Sequence, residues 1–272
     1  MDAETRVRYE KWKRDRIRRR IVFPGIGLLL ILFVCGWMIS SCNQDDSGTN
    51  RGFHQQDSGF EPRVYLFNAH PLEMIGSSFY NLFEGEMSIV ELTYVLADQL
   101  ESHGISTLVE HRSVDDLLRS NGWEFYMSYY AARPFVLDAM EAHSSLEFFI
   151  DLHRDGVPRE YATVMIDGQS YARILFVVGT DNPEGYAESY AVARELHYLL
   201  EERKPGISRG IFRSGGSGRD GVYSQDISPM LVVIELGTVE TTVEEAERTV
   251  EVLAEVLATY LTEGTDEGNA FN

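Results

Sequence analysis

Short apolar runs alternate with longer amphipathic stretches between residues 63 and 261. The short runs are rich in Val, Ile, Leu and Phe, which is typical of buried strands. Strands are predicted near residues 63–69, 105–110, 146–152, 172–179 and 231–236. Strands that alternate with helices predict an α/β fold, a single domain with a mostly parallel mixed sheet flanked by helices.

The amphipathic stretches carry helix signals. Apolar residues recur at helical spacing in residues 88–102, and Gly104 follows as a stop signal. Helices also fit residues 122–142, 184–203 and 242–261. Pro134 predicts a kink or break inside the first of these. Residues 163–167 and 170–178 predict a hairpin around Gly-Gln that adds to the sheet in the antiparallel sense.

The first 60 residues follow a different pattern. Residues 1–20 contain nine Lys or Arg and four acidic side chains, which predicts a cytoplasmic basic segment. Residues 21–40 are apolar over about the length of a bilayer core and predict a transmembrane anchor. Residues 41–60 predict a flexible linker, and residues 263–272 a disordered tail. Residues 61–262 are therefore predicted to be the folded domain of a single-pass cell-membrane protein, on the extracytoplasmic side.

A cleaved signal peptide is the alternative to the anchor. Residues 39–42, Ile-Ser-Ser-Cys, resemble a loose lipobox, so Cys42 could be acylated after cleavage. The apolar run is longer than the usual hydrophobic region of a signal peptide, which favours the anchor. Both routes leave the protein bound to the membrane. No cysteine follows Cys42, so the folded domain has no disulfide and its stability must come from its core.

Charge excludes one class of partner. Without residues 1–20 the chain keeps 15 basic and 39 acidic side chains, a net charge of −24. Such a surface repels phosphate groups, so we expect no nucleic-acid partner.

Candidate metal ligands follow three of the predicted strands. His70 and Glu73 follow the first strand, His153 and Arg154 follow the third, and Glu235 follows the last apolar run. The carboxyl ends of parallel strands gather at one edge of a sheet, where ligands bind. Zinc accepts imidazole and carboxylate ligands, and a catalytic zinc uses three from the protein. We therefore predict Zn²⁺ at His70, Glu73 and His153, with Glu235 as base and then acid in the cleavage of an amide or peptide bond.

Several longer sequence motifs occur one after another along the chain. They are Asp-Leu-His-Arg-Asp at 151–155, Ala-Arg-Ile-Leu-Phe-Val-Val-Gly-Thr at 172–180, Pro-Gly-Ile-Ser-Arg-Gly-Ile at 205–211, and Tyr-Ser-Gln-Asp-Ile-Ser-Pro at 223–229 leading into Ile-Glu-Leu-Gly. With this order and spacing, residues 63–261 resemble the stage II sporulation protein P family of bacterial cell-wall hydrolases. The resemblance implies a membrane-anchored, zinc-dependent N-acetylmuramoyl-L-alanine amidase, in some members with added endopeptidase activity. It also implies septal peptidoglycan as the substrate during engulfment, alongside a glycan-cleaving partner protein.

The resemblance also bears on residues next to the metal. Arg154 would bind a substrate carboxylate or stabilise an oxyanion, and Asp155 would orient an imidazole. A structural ion pair is the alternative for both residues. Tyr223 and Gln225 would line the cleft or pack beneath it.

The first motif departs from the family phrase His-x-His-x-x-Glu-Ser-Tyr. Asn68 stands in place of the outer His, which puts in doubt a secondary substrate contact there but removes none of the predicted ligands. Broader muramoyl amidases take their ligand Glu from the start of the following helix, where this chain has Glu86. Glu73 is the first choice because its spacing places it next to His70, and Glu86 is the alternative.

The aromatic residues Phe125, Tyr126, Tyr129 and Tyr130 have helical spacing, which favours a core or cleft wall over a ligand platform. Two other functions stay open. A zinc peptidase or endopeptidase acting on stem peptides would use the same HxxE plus a distant His. A degenerate amidase that only binds the wall would keep the fold without turnover.

Overall fold

The computed structural model describes residues 61–76 and 85–267, with the backbone alone from 263 onward. Its strands are β1 (Val64–Phe67), β2 (Met74–Ile75), β3 (Met87–Ser88), β4 (Thr107–Val109), β5 (Phe148–Asp155), β6 (Thr163–Ile166), β7 (Gln169–Ala172), β8 (Ile174–Gly179), β9 (Ser208–Ser214) and β10 (Leu231–Thr238). Its helices are α1 (Ile89–Ser102), α2 (Val114–Asn121), α3 (Ser128–Ala142), α4 (Arg159–Ala162), α5 (Tyr186–Arg203) and α6 (Val243–Glu267), with a 3₁₀ turn at Phe125–Met127. The predicted cytoplasmic segment, anchor and linker lie outside the described residues.

Six strands form the main sheet in the order β4-β1-β5-β10-β8-β9. Strands β4, β1, β5 and β10 are parallel to one another, β8 is antiparallel to β10, and β9 is parallel to β8. The prediction of a mostly parallel mixed α/β sheet flanked by helices is confirmed.

The predicted hairpin forms but does not extend that sheet. Strands β6 and β7 pair antiparallel across Asp167 and Gly168, both of which have positive φ angles, and make a separate two-stranded sheet. Arg173 ends this hairpin, because its guanidinium donates to the carbonyls of Gly206 and Ser208 at 3.0 and 3.1 Å. The expectation of one continuous strand over 170–178 is therefore wrong. The chain re-enters the main sheet only at β8.

Helices cover both faces of the sheet. On one face α2 and α3 pack on Tyr65, Phe149 and Val233. Neighbouring strand residues alternate between faces, and Phe148 contacts Tyr260 of α6 on the other side, with ring centroids 5.8 Å apart. Helices α1 and α5 both contact α6 and complete that second layer.

Helix α2 and strand β9 are among the elements that the sequence pattern does not predict. Helix α2 is short but capped at both ends, by the Ser113 side chain and by Gly122 with a positive φ. Strand β9 is an edge strand with a partly polar, partly exposed pattern, so it carries no apolar run.

Helix α3 continues through Pro134 without interruption, so the helix does not break at that residue. A 3₁₀ turn precedes the helix instead.

Helix α6 continues to Glu267, so residues 263–267 are helical where a disordered tail was expected. Among the described helices, none combines the length and the apolar composition that a bilayer crossing requires.

Glu245 in the first turn of α6 joins three elements. Its carboxylate accepts hydrogen bonds from the Arg159 guanidinium and the Ser170 hydroxyl, and from the Thr242 N–H at 2.9 Å. The Thr242 hydroxyl accepts the Glu245 N–H at 3.2 Å, which completes a capping box. Burial opposes ionisation of Glu245, but these donors outweigh burial and hold its pKa below the usual value.

Glu245→Gln is expected to lower the free energy of unfolding near pH 7 by about 1–3 kcal/mol. A carboxylate with a depressed folded pKa stabilises the protein above its unfolded pKa of about 4.3, and this stability is lost as the pH falls through the folded value. The variant should therefore lose part of the acid dependence of stability, measured by urea unfolding at several pH values. Glu244→Gln, at the exposed neighbouring position, is the matched control. Parent-like acid dependence in Glu245→Gln would contradict this role.

Candidate metal centre

Three neighbouring strands bring the candidate residues to one edge of the sheet. Strands β1 and β10 flank β5 in parallel, with Phe67 opposite Asp151 and Glu235 opposite His153. Because parallel strands end at the same edge, the loop that follows β1 approaches the end of β5.

His70 and Glu73 come from one short turn in that loop. The Glu73 N–H donates to the His70 carbonyl at 3.2 Å, and the Glu73 carbonyl accepts the Ile89 N–H at 2.9 Å. The turn places Nδ1 of His70 3.3 Å from Oε1 of Glu73. The other carboxylate oxygen, Oε2, lies 3.5 Å from Nδ1 of His153 and accepts the Arg154 N–H at 2.9 Å. Glu73 is thus held between two imidazoles.

His153 is fully buried, and neither ring nitrogen has a hydrogen-bond partner among the described residues. Oδ1 of Asp151 lies 2.9 Å from Nε2 without the alignment of a hydrogen bond, and accepts the Ala69 N–H at 2.8 Å. Buried polar atoms are nearly always satisfied, so an unpaired buried imidazole is the kind of group that coordinates a metal ion. One ligand atom from each of His70, Glu73 and His153 lies within 4.8 Å of the others. These residues fit the donor set of a zinc site.

The electrostatics of the cluster favour a cation. Burial opposes charging of His153, but Asp151 and Glu73 outweigh burial and raise the pKa of the imidazole well above its usual value. Burial also opposes ionisation of Glu73, yet the two neighbouring imidazoles and the Arg154 N–H lower its pKa to about 2. The buried carboxylate of Asp151 and the partly buried one of Glu73 therefore favour a positive charge beside His153, and either a proton or a metal ion supplies it.

The two candidates for the second ligand differ in position. Glu73 belongs to the cluster, whereas Glu86 is exposed and is not one of its members. The geometry therefore favours Glu73.

Asn68, which replaces the outer His of the family phrase, has a structural role. Its amide donates to the Thr93 hydroxyl at 2.9 Å and to the Leu152 carbonyl at 2.7 Å. These bonds join the end of β1 to α1 and to β5. Asn68 thereby holds the loop that carries His70.

Arg154 and Asp155 have separate surroundings. The Arg154 guanidinium donates to the Asp155 carbonyl at 3.3 Å, and its Nε is buried without a hydrogen-bond partner. The Asp155 carboxylate pairs with Arg209 at 2.6 Å, so of its two expected roles the structure shows the structural ion pair. Asp151 is the carboxylate beside His153. The alternation of a strand places both acids on the His153 face, and the 2.9 Å distance from Oδ1 of Asp151 to Nε2 of His153 identifies Asp151 as the neighbour of the imidazole.

Glu235 is the carboxyl group opposite His153 on β10. Its Oε2 is buried without a hydrogen-bond partner. Burial raises the pKa of Glu235 to about 8; His153 acts against this shift, and the carboxylates of Glu73 and Asp155 act with it. A β-bulge follows Glu235, before Thr238. Gly237 lies within it with a φ angle of +65°, and any other residue there would place its Cβ 2.4 Å from the Thr241 hydroxyl oxygen. A carboxyl group that holds a proton near neutral pH suits a base that later acts as an acid.

Two cavities open at the site. The first, here called the ligand cavity, has a volume of about 380 Å³ and is lined by His70, Leu72, Glu73, Phe125 and Arg154 among others. The second, here called the base cavity, has a volume of about 260 Å³ and is lined by Tyr129, Asp155, Arg209, Tyr223 and Glu235 among others. No residue lines both.

Tyr129 packs beside the candidate ligands. Its ring centroid lies 5.1 Å from that of His70, 5.8 Å from that of His153 and 4.8 Å from that of Tyr223. This agrees with the cleft-wall interpretation of the aromatic cluster for Tyr129. The helical spacing of Tyr129 gives no sign of the contact with His153, since α3 meets β5 only in the folded chain.

Tyr223 and Gln225 take different places on the loop before β10. Tyr223 lines the base cavity, and its hydroxyl lies 2.5 Å from that of Ser214. Gln225 is buried, accepts the Gly179 N–H at 2.8 Å and donates to the Val177 carbonyl at 2.9 Å. Gln225 is therefore a packing residue that fixes the loop to β8.

The fold and the site define an α/β protein with a candidate His-Glu-His metal centre at the carboxyl edge of its sheet. The family model for stage II sporulation protein P (SpoIIP) matches residues 39–258. The chain belongs to the stage II sporulation protein P family.

A curated relative and two solved structures are similar to the chain. Stage II sporulation protein P of Bacillus subtilis (strain 168) is 34% identical over 214 residues, which cover 75% of this chain and 52% of the relative. The chain therefore spans about half the length of that relative. The CwlD amidase from Clostridioides difficile, in complex with the GerS lipoprotein, is 12% identical with a TM-score of 0.47, over 74% of this chain and 97% of its own. The N-acetylmuramoyl-L-alanine amidase AmiC2 of Nostoc punctiforme is 13% identical with a TM-score of 0.42, over the same shares.

Asp151→Asn is expected to weaken zinc binding about 10–100-fold. The amide keeps an acceptor for the Ala69 N–H but removes the negative charge beside His153. Competition with a chromophoric chelator measures the affinity. Asp155→Asn, four residues further along the same strand face, is the matched control and should bind zinc as the parent does. Equal zinc affinities for Asp151→Asn and the parent would refute the role of Asp151.

Proposed function

We propose that the chain is a zinc-dependent N-acetylmuramoyl-L-alanine amidase that cleaves the amide between the muramoyl lactyl group and L-alanine in septal peptidoglycan during sporulation. The observation that carries this proposal is the cluster of His70, Glu73 and His153 beside the buried carboxyl group of Glu235. Membership of the SpoIIP family supports the cell wall as the substrate. The apolar run at 21–40 supports attachment to the cytoplasmic membrane, with the folded domain outside.

Zinc suits this cluster for three reasons. Two imidazoles and one carboxylate are a donor set of catalytic zinc sites, the ring nitrogens of His153 make no hydrogen bond among the described residues, and the neighbouring carboxylates favour a cation. His70, Glu73 and His153 would hold the ion. Bound there, zinc would lower the pKa of a water molecule and polarise the carbonyl group under attack.

Glu235 would move the proton. Its carboxylate takes a proton from the attacking water as the water oxygen bonds to the carbonyl carbon. When the carbon–nitrogen bond breaks, Glu235 gives that proton to the leaving nitrogen of L-alanine. The raised pKa of Glu235 favours this second step, because the protonated carboxyl group persists near neutral pH.

Arg154 would stabilise the charge that develops on the carbonyl oxygen. It lines the ligand cavity together with His70 and Glu73, and its buried Nε has no hydrogen-bond partner. A preorganised guanidinium at this position favours the oxyanion over the neutral carbonyl.

His153→Ala is expected to lose stoichiometric zinc and the release of peptide amino groups from purified sacculi. Glu235→Gln should keep zinc and lose at least about 100-fold in kcat, since general acid–base catalysis contributes 10²–10⁴-fold. Zinc is measured by atomic emission and amino groups by a colorimetric assay. Glu86→Gln, which changes the exposed alternative ligand, should keep both properties. Loss of zinc in Glu86→Gln with retention in Glu73→Gln would overturn the ligand assignment.

The bond that is cleaved can be identified from the products. Mass spectrometry of digested sacculi should give glycan strands free of peptide and intact stem peptides that begin with L-alanine. Shortened stem peptides still attached to glycan would indicate a peptidase instead. Binding to sacculi that persists in chelator, with no amino groups released by the parent, would indicate a wall-binding protein without turnover.

A further inference from the structure

The two cavities assign the two halves of the substrate. A general acid must reach the leaving nitrogen, so Glu235 faces the amine half of the amide. Glu235 lines the base cavity, which therefore receives L-alanine and the stem peptide. The ligand cavity, which Glu235 does not line, is left for the acyl half, and that half is the lactyl group with its sugar. This step rests on the proposed function.

Exposed aromatic side chains stand beside the ligand cavity. Phe125, Tyr126 and Tyr130 are 66%, 79% and 60% exposed, so of the two expected positions, core or cleft wall, the core is excluded for them. Phe125 also lines the cavity, and its ring stacks on that of His70 with centroids 4.6 Å apart and an interplanar angle of 27°. Leu72, which lines the same cavity, is 68% exposed. A group of large apolar side chains left in water marks a binding surface, and this one is continuous with the candidate active site.

Two of the three rings contact a neighbouring ring. Trp123 makes an edge contact with Tyr130, with centroids 5.4 Å apart, while one face of Phe125 rests on His70. The first turn of α3 carries Tyr130, and the 3₁₀ turn carries Phe125 and Tyr126. Rigid aromatic side chains lose little conformational entropy on binding, which suits a surface that contacts a repeating ligand.

We propose that Phe125, Tyr126 and Tyr130 form a sugar-binding platform that holds the glycan strand, with the reacting N-acetylmuramic acid residue next to His70. The face of an aromatic ring is electron-rich and attracts the C–H groups on the face of a pyranose ring. The three side chains of the platform carry no charge. Outside residues 1–20 the chain has a net charge of −24, so long-range electrostatic attraction does not draw an anionic cell wall to the protein. Local packing on uncharged sugar rings is therefore the interaction that retains the strand.

The platform is tested by calorimetric titration of the full-length, zinc-loaded chain with chitotetraose, the neutral tetramer of N-acetylglucosamine. Tyr126→Ala combined with Tyr130→Ala should weaken binding by about tenfold or more. Phe125 is left unchanged because it contacts a candidate zinc ligand. The matched control combines Tyr161→Ala with Tyr198→Ala, which removes two equally exposed tyrosines from α4 and α5, and it should bind as the parent does. No binding by the parent, or equal affinities in parent and Tyr126/Tyr130 variant, would overturn the platform.

Turnover of sacculi separates this inference from the proposed function. The Tyr126/Tyr130 variant should show a higher KM for sacculi, with a smaller change in kcat and a parent-like zinc content. If the parent releases no amino groups from sacculi, the amidase proposal fails whatever the titration gives. If the parent is active and KM does not change in the variant, the platform alone fails. The second result is the one expected if the aromatic surface contacts another protein instead of glycan.

Discussion

The buried negative charge around His153 is the constraint on which the site depends. Asp151 and Glu73 lie at the edge of a sheet in surroundings that exclude most water, where an uncompensated carboxylate is strongly destabilising. The chain compensates with the N–H groups of Ala69 and Arg154 and with positive charge at the imidazole. This arrangement is a candidate cation site that the fold itself positions.

The rest of the fold holds these groups in register. Parallel pairing of β1, β5 and β10 brings three strand ends together, and the turn from His70 to Glu73 needs the anchoring bonds of Asn68 to stay over β5. Helices α1, α5 and α6 form a structural layer on the opposite face. On the site face, α2 and α3 leave the two cavities open. The same helix α3 therefore packs on the core and supplies Tyr129 to the site.

Local signals predicted the elements whose side chains are apolar and buried. Strands β1, β5, β8 and β10 are almost entirely buried, so their apolar runs are visible in the sequence. Edge strand β9 needs no such run and was missed. The hairpin over residues 163–172 was recognised from its turn, but its separation from the main sheet depends on the contacts of Arg173 with a distant segment.

Some features of the candidate site are likewise predicted by local sequence signals, and others depend on tertiary contacts. His70, Glu73, His153 and Glu235 were predicted from the sequence because residue type and strand-end position are local properties. The spacing to His70 already ranks Glu73 above Glu86, but the approach of Glu73 to His153 and the contact of Tyr129 with both imidazoles are distances between segments far apart in the chain. The periodicity of apolar residues carries no information on such distances. It shows which side chains of one helix or strand lie on the same face, but not which other segment packs against that face. Only the packing of α3 and the β1 loop onto the end of β5 establishes them.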